Sequence, residues 1–222
     1  MIAKQRARSN VDKQQRREHI LSAALALWEQ QSFANFTMSE VASRSGLAKG
    51  TLYLYFQTKE ELLLALLEVE LGAWFDTLDA ALGATDSWDA ERGAALFAAT
   101  LEAQPALTRL LPIAASILEH NISVERARAY KELLLTRVTA SAALIEQRLA
   151  FLAPGDGLWL LLQIYALVVG LGQMADPAPV VRQVLDDVAM APLRITFTPA
   201  FTRSIITLLH GLAYRSSPAD GP

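Results

Sequence analysis

The stretch that most constrains this chain is Thr37 to Glu61, TMSEVASRSGLAKGTLYLYFQTKEE. It holds two T-x-x-E helix-start signals, Thr37 to Glu40 and Thr58 to Glu61. In each, the Thr hydroxyl caps a backbone N–H and the Glu side chain reaches back. Between them, Ser45 and Gly46 end the first helix, because glycine enters φ > 0 without a Cβ clash. Two starts and one stop in so short a span leave room for two short helices, a tight turn and the start of a third. A helix-turn-helix has this layout when its second helix enters the major groove of DNA.

The first helix of the pair gains a compact apolar face from Val41 and Ala42, and Leu47 tucks under the turn. The second is expected over about Ala48 to Phe56. With Leu52 inward, helical periodicity brings Ala48 and Phe56 to nearly the same face. The opposite face then centres on Gly50 and Leu54, flanked by Thr51 and Tyr53. Gly50 costs ~1 kcal/mol of helix propensity relative to Ala. Close approach of the backbone to another surface would compensate. Lys49 and Thr51 lie in the first turn, where a recognition helix touches bases. Tyr53 and Tyr55 carry hydroxyls suited to phosphates. Lys59, with the N-terminal amides of the next helix, offers an anion site. A plainer reading stands beside this one. Leu52, Phe56, Val41 and Leu47 are core, Tyr55 divides evenly between core and phosphate, and the polar residues form an ordinary solvated face.

GLAKGTLYLYFQTKEELL, preceded by FANFTMSEVA, resembles the DNA-binding domain of the TetR (tetracycline-repressor) family of bacterial regulators. The similarity covers about Gln14 to Leu64 and rests on G-x-x-x-G-T-L-Y-x-Y-F, a trailing Lys and an upstream T-x-x-x-V-A helix. It departs at Leu54, where many members carry an aromatic or polar residue, which leaves base preference open there. The resemblance implies an all-α fold, with a three-helix DNA-binding domain over residues 1–58 and a larger helical effector-binding and dimerisation domain over 59–222. It makes Thr37, Lys49, Gly50, Thr51, Tyr53, Leu54, Tyr55 and Lys59 the DNA-contacting set. The implied partners are a pseudo-palindromic double-stranded operator, a second copy of the chain and a small-molecule effector.

Net charge is −3 over 222 residues, which alone argues against nucleic acid. The distribution reverses that inference. Residues 1–59 hold nine Lys/Arg against four Asp/Glu, and residues 60–222 hold eleven against nineteen. A basic head on an acidic body directs DNA to one end. Residues 1–12 read as a flexible basic arm, in which Lys4, Arg6 and Arg8 either follow phosphates or trail in solvent. Lys13 to Gln31 is a first helix, with Ile20, Ala23, Ala24, Leu27 and Trp28 as its buried stripe and Arg16 or Arg17 near the DNA backbone. Phe33 and Phe36 close the small core.

Hydrophobic residues make up 52% of the chain, enough for a sizeable core. Without cysteine there are no disulfides, thiolate metal sites or Cys nucleophile, which suits a reducing cytoplasm. His19, His120 and His210 are far apart, and no metal spacing, nucleophile elbow, Walker or dinucleotide motif is present. The expectation is a cytoplasmic non-enzyme without metal or cofactor. No signal peptide opens the chain, and Gly157–Gly172 is shorter than the ~20 residues a membrane span needs; it reads as a buried helix.

Further helices are expected over about Lys59–Leu82, Trp88–Gln104 (capped by Asp86 or Ser87), Pro105–His120, Val124–Leu152, Leu158–Ala175, Val180–Met190 and Thr198–Arg215, with Arg194–Thr198 the one ambiguous strand. The first would span about 35 Å, so tilting it would move the head. By resemblance, two late helices form a four-helix dimer interface carrying Leu167, Gly170, Leu171, Phe201, Ile205, Leu208 and Leu212. The effector would lie among Trp74, Phe75, Phe97, His120, Tyr130, Trp159, Gln163 and Tyr165, a lining suited to an aromatic or lipophilic molecule; the same residues read plainly as core. The resulting expectation is a dimeric repressor released by a small molecule. A ligand-independent architectural or cell-division role is the alternative.

Overall fold

The computed structural model describes residues 2–83 and 88–216, with side chains over 11–83 and 88–215. The described residues are helical throughout their regular structure and contain no strand, as expected for an all-α chain. Arg194–Thr198 runs instead into the last helix. The chain forms two compact units that do not follow chain order: Met1–Val69 with Ile113–Ala127, and Glu70–Pro112 with Arg128–Pro222.

The first unit opens with α1, Ile2–Trp28. The helix starts earlier than the sequence suggested, because AKQRARS contains good helix formers and neither Gly nor Pro. The flexible arm is therefore helical from Ile2, while the side chains of Lys4, Arg6 and Arg8 lie outside the described residues. Its expected stripe, Ile20, Ala23, Ala24, Leu27 and Trp28, is buried. Trp28 meets Phe36 edge-on, with ring centroids 6.2 Å apart. Two short helices follow, α2 (Met38–Arg44) and α3 (Lys49–Tyr53). Val41, Leu52 and Phe56 are buried here, and α2 packs against both α1 and α3. Next comes α4, Lys59–Gly83, whose residues after Val69 belong to the second unit. Leu62 to Leu67 are all buried, so α4 is enclosed on every side at this level.

The second unit contains α5 (Ala90–Glu102), most of α6 (Pro105–Ala114), α7 (Val124–Arg148) from Arg128 onward, α8 (Asp156–Ala175), α9 (Pro179–Leu185) and α10 (Phe197–Ser216). Asp86 and Ser87 lie outside the described residues. The observed cap of α5 is Asp89, which accepts from the Arg92 amide at 2.8 Å. α6 ends soon after Pro112, and a 3-10 turn, Leu118–Asn121, replaces the expected continuation to His120. Proline removes one helical N–H and clashes with the preceding turn, which shortens the helix. Ser123 starts α7 by accepting from the Arg126 amide at 3.1 Å. Polar ties join α4 to α7 in one sense along both. Arg137 bonds the Gly72 carbonyl and the Asp76 carboxylate, Ser141 donates to Asp79 at 2.6 Å, and Arg148 donates to the Leu82 carbonyl. α10 packs against α5 and α8.

Candidate nucleic-acid interface

The geometry begins at Thr37. Its backbone is extended, and its hydroxyl oxygen accepts from the Glu40 amide at 3.3 Å while the hydroxyl donates to Glu40 Oε2 at 2.7 Å. Gln31 Nε2 donates to the other Glu40 oxygen at 3.2 Å, which ties the turn after α1 to α2 across a link no spacing rule would find. These donors, Thr37's hydroxyl first and Gln31's amide next, hold the Glu40 carboxyl below its ordinary value. The capping box thus consumes the Thr37 hydroxyl.

The turn after α2 is a Schellman motif. The Gly46 amide bonds the Ser43 carbonyl at 3.1 Å, the Leu47 amide bonds the Ala42 carbonyl at 2.9 Å, and Gly46 has φ of 63°. α3 then begins at Lys49, with Ala48 as an exposed, extended N-cap. Ala48 is therefore not inward as periodicity suggested, because it precedes the helix. Regular α3 stops at Tyr53; Tyr55 and Phe56 amides still bond the Leu52 carbonyl, at 3.0 and 3.1 Å.

Lys49, Gly50, Tyr53 and Leu54 are exposed, and Leu54 keeps 81% of its surface. Thr51 and Tyr55 are half-buried. The Lys49 ammonium lies 6.0 Å from the Tyr53 ring centre. A Cβ built on Gly50 would meet nothing within 4 Å. Among the described residues no packing therefore requires glycine there, and the backbone of α3 lies bare between a cation and a phenol. Arg17, of the Arg16/Arg17 pair, stacks its guanidinium 5.4 Å from the Phe56 ring centre, while Arg16 is exposed.

Lys59 is placed differently from its sequence reading. Its ammonium donates to the Phe33 carbonyl at 3.0 Å and sits 3.9 Å from the Phe33 ring centre. Phe33 is thus a platform for Lys59 and only half-buried, where the sequence suggested a core residue. The amides at the head of α4 are also partly taken. Glu61's amide bonds Thr58 Oγ1 at 3.0 Å, and Glu61's carboxylate accepts from the Gln57 amide at 2.8 Å. Glu60 and Glu61 add negative charge where a phosphate would sit.

Among the expected interface residues, Phe201, Ile205 and Leu212 are buried in their own unit, against at most 5% exposure. They fill the core, so their spacing marked the inner face of α10. Leu167, Leu171 and Leu208 are half-buried and Gly170 is exposed. The apolar residues α8 shows to solvent are others: Leu158, Trp159, Leu162, Tyr165 and Met174. In the single chain α8 is not buried all round: Leu160, Leu161, Ile164 and Val168 carry its apolar inner face. Among the described residues it is the one helix long and apolar enough to cross a membrane, longer than the stretch read from sequence.

The expected effector set divides. Trp74, Phe75, Phe97 and Tyr130 are buried in the second unit, where Trp74 Nε1 donates to Thr100 Oγ1 at 3.1 Å. Gln163 is half-buried, while Trp159 and Tyr165 stand on the outer face of α8. His120 is exposed and belongs to the first unit. No cluster of metal-ligating side chains occurs among the described residues.

Comparison with known proteins agrees with this layout. A family model described as bacterial regulatory proteins, tetR family, matches residues 20–66, and one described as tetracyclin repressor-like, C-terminal domain, matches 68–216. The uncharacterized HTH-type transcriptional regulator YerO of Bacillus subtilis is 38% identical over 58 residues, 26% of this chain and 20% of that protein. The match therefore spans about a fifth of that relative's length. Among solved structures, a TetR transcriptional regulator from Rhodococcus sp. RHA1 aligns with a TM-score of 0.55 at 19% identity, covering 92% of this chain and 98% of that one. The regulator FadR from Bacillus subtilis in complex with stearoyl-CoA aligns with a TM-score of 0.53 at 18% identity, covering 86% and 96%. At these identities the structures share the fold.

Proposed function

The chain belongs to the tetR family of bacterial regulatory proteins, and from that premise we propose that it is a dimeric, sequence-specific repressor that a small molecule releases from its operator. It works in the cytoplasm, where the DNA is, and catalyses nothing. The observation that carries the reading is Gly50: an exposed helical glycine with empty space over its Cα, flanked by Lys49, Thr51, Tyr53 and Leu54. A helix-breaking residue with no internal reason to be there fits an outside surface that presses on the backbone. In this reading Lys49 and Thr51 meet bases, Leu54 offers apolar contact to a thymine methyl, and Tyr53 and Tyr55 donate to phosphates. Thr37 positions α2 through its cap. Lys59 fixes the α1–α2 loop through Phe33, with its remaining N–H groups turned to phosphate.

Homodimerisation is supported by the outer face of α8. Trp159, Leu162 and Tyr165 recur three residues apart and, with Met174 nearer the C-terminus, stay exposed in the single chain. Leu167, Gly170, Leu171 and Leu208 complete the contact from its margins. A two-fold pair of heads suits a pseudo-palindromic operator. For the effector, the buried aromatic group of Trp74, Phe75, Phe97 and Tyr130 favours an aromatic or lipophilic molecule. FadR from Bacillus subtilis, similar in fold, was solved in complex with stearoyl-CoA, which supports a lipid-like effector.

The test is Gly50→Ala. Operator binding, read by fluorescence anisotropy on a duplex selected from a random pool, should fall about tenfold or more. The melting temperature should hold or rise, since Ala gains ~1 kcal/mol of helix propensity. Full affinity in the variant would remove α3 from the DNA.

A further inference from the structure

One ion pair of the first unit joins α4 to α7, apart from α3. Arg126 Nη1 and Nη2 donate to Glu68 Oε1 and Oε2 at 2.6 and 2.7 Å, a fork-to-fork pair. Only 21% of the Arg126 side chain and 15% of Glu68's are exposed. Two parallel charge-assisted bonds fix the mutual direction of two planes, which a single contact leaves free. The positions of these residues in the chain give the pair its meaning. The chain passes from one compact unit to the other at Val69/Glu70 in α4, at Pro112/Ile113 in α6 and at Ala127/Arg128 in α7. Glu68 and Arg126 each stand one residue short of such a crossing, on the side of the first unit. The pair therefore clips together two of the three places where that unit is continuous with the rest of the chain.

Further observations sharpen this. Ser123 caps α7 on the amide of Arg126 itself, so the guanidinium extends from a backbone fixed at its own residue. Leu118, in the 3-10 turn just before, is fully buried. Segment 113–127 is thus anchored at an apolar point and at an ionic one. Beyond the crossings, α4 and α7 stay tied through Arg137 with Asp76, Ser141 with Asp79, and Arg148 with Leu82. Glu68–Arg126 is the rung of this ladder that lies inside the DNA-binding unit.

We infer that the Glu68–Arg126 pair is a positioning latch for operator recognition: it holds α7 to α4 so that movement of either helix reaches the DNA-binding unit. This rests on the reading of the chain as a DNA-binding regulator. Without the latch, α4 and segment 113–127 sample more arrangements, and only a fraction presents α3 correctly. Apparent operator affinity falls in proportion to that fraction. Random DNA, held mainly by phosphate charge, is affected far less.

The experiment uses the full chain with Glu68→Gln, Arg126→Gln, Arg126→Lys and the double exchange Glu68→Arg with Arg126→Glu. Backbone hydrogen exchange and anisotropy on the selected and a scrambled duplex are read together. The single Gln variants should speed exchange over 118–126 by about tenfold. They should weaken the selected duplex by roughly fivefold and leave the scrambled one within about twofold. Arg126→Lys, which keeps the charge and the fold but loses the fork, should fall between, and the exchanged pair should recover both signals. Faster exchange with unchanged operator affinity would make the pair a plain staple and overturn the latch. So would equal losses on both duplexes. Should the wild-type protein select no duplex at all, the regulator reading falls instead, and unchanged exchange in the variants would separately refute the fastening.

Discussion

Gly46 and Gly50 stand in one turn and helix, and lack side chains for opposite reasons. Gly46 adopts φ of 63° to close the α2 cap, with open space around it. Gly46→Ala should therefore cost about 1–2 kcal/mol through backbone strain alone, read as a lower urea midpoint. Gly50→Ala should cost nothing in stability. Gly157 is a third case: a Cβ there would lie 2.4 Å from the Ala142 carbonyl oxygen, where α8 begins against α7. Sequence alone cannot rank the three glycines, because a clash with a residue far along the chain leaves no local mark. Capping chemistry, being local, is legible: both Thr hydroxyls cap as expected, although the Glu61 carboxylate accepts from the Gln57 amide and not from Thr58. The Glu40 carboxyl is lowered by Thr37's hydroxyl and Gln31's amide. A lowered carboxyl adds stability that is present above its ordinary pKa and lost as pH falls through the lowered one. Urea midpoints of wild type and Glu40→Gln should thus differ at about pH 6 and converge toward pH 3. A constant gap would mean that the hydroxyl contact does not depend on charge.

At the scale of elements, periodicity locates helices well and assigns their faces less well. The stripe of α1 is right because Ile20, Ala23, Ala24, Leu27 and Trp28 keep helical spacing, and the charged residues Lys13, Arg16, Arg17 and Glu18 all precede it. α8 and α10 are apolar on more than one face, so spacing alone does not say which face meets the chain's own core. α10 turns Phe201, Ile205 and Leu212 inward, while α8 divides, with Ile164 and Val168 inside and Leu162 and Tyr165 outside. Leu162→Asp should accordingly yield monomers by sedimentation equilibrium with little loss of helicity, since Leu162 is 54% exposed. Phe201→Asp should instead unfold the second unit, because a buried unpaired carboxylate costs several kcal/mol. A Leu162→Asp protein that stays dimeric would move the interface off α8. The Lys59 contact with Phe33 is likewise invisible in sequence: the residues are distant, and a lysine near a helix start reads first as an anion ligand.

For the whole molecule, the decisive quantity is how many phosphates the protein neutralises at once. The charge is divided, with an excess of five positive charges over residues 1–59 and of eight negative charges over the rest. The acidic body repels DNA, so attraction is confined to the heads, and the number of heads on one operator sets the salt dependence. For duplex DNA the slope of log K against log salt is about −0.9 per phosphate contacted. If two heads bind one operator, the wild-type slope counts the contacts of both. A monomer made by Leu162→Asp keeps an intact head, because Leu162 lies in the second unit, far along the chain from α3. Its slope should therefore be about half that of the dimer on the same duplex. Lys59→Ala in the dimer removes one phosphate-facing cation from each head and should flatten the slope by about two, against about one in the monomer. Anisotropy titrations at four salt concentrations for these proteins give every slope needed. Equal slopes for monomer and dimer would mean that a single head engages each duplex, and the two-headed operator would have to be abandoned even though the chain dimerises.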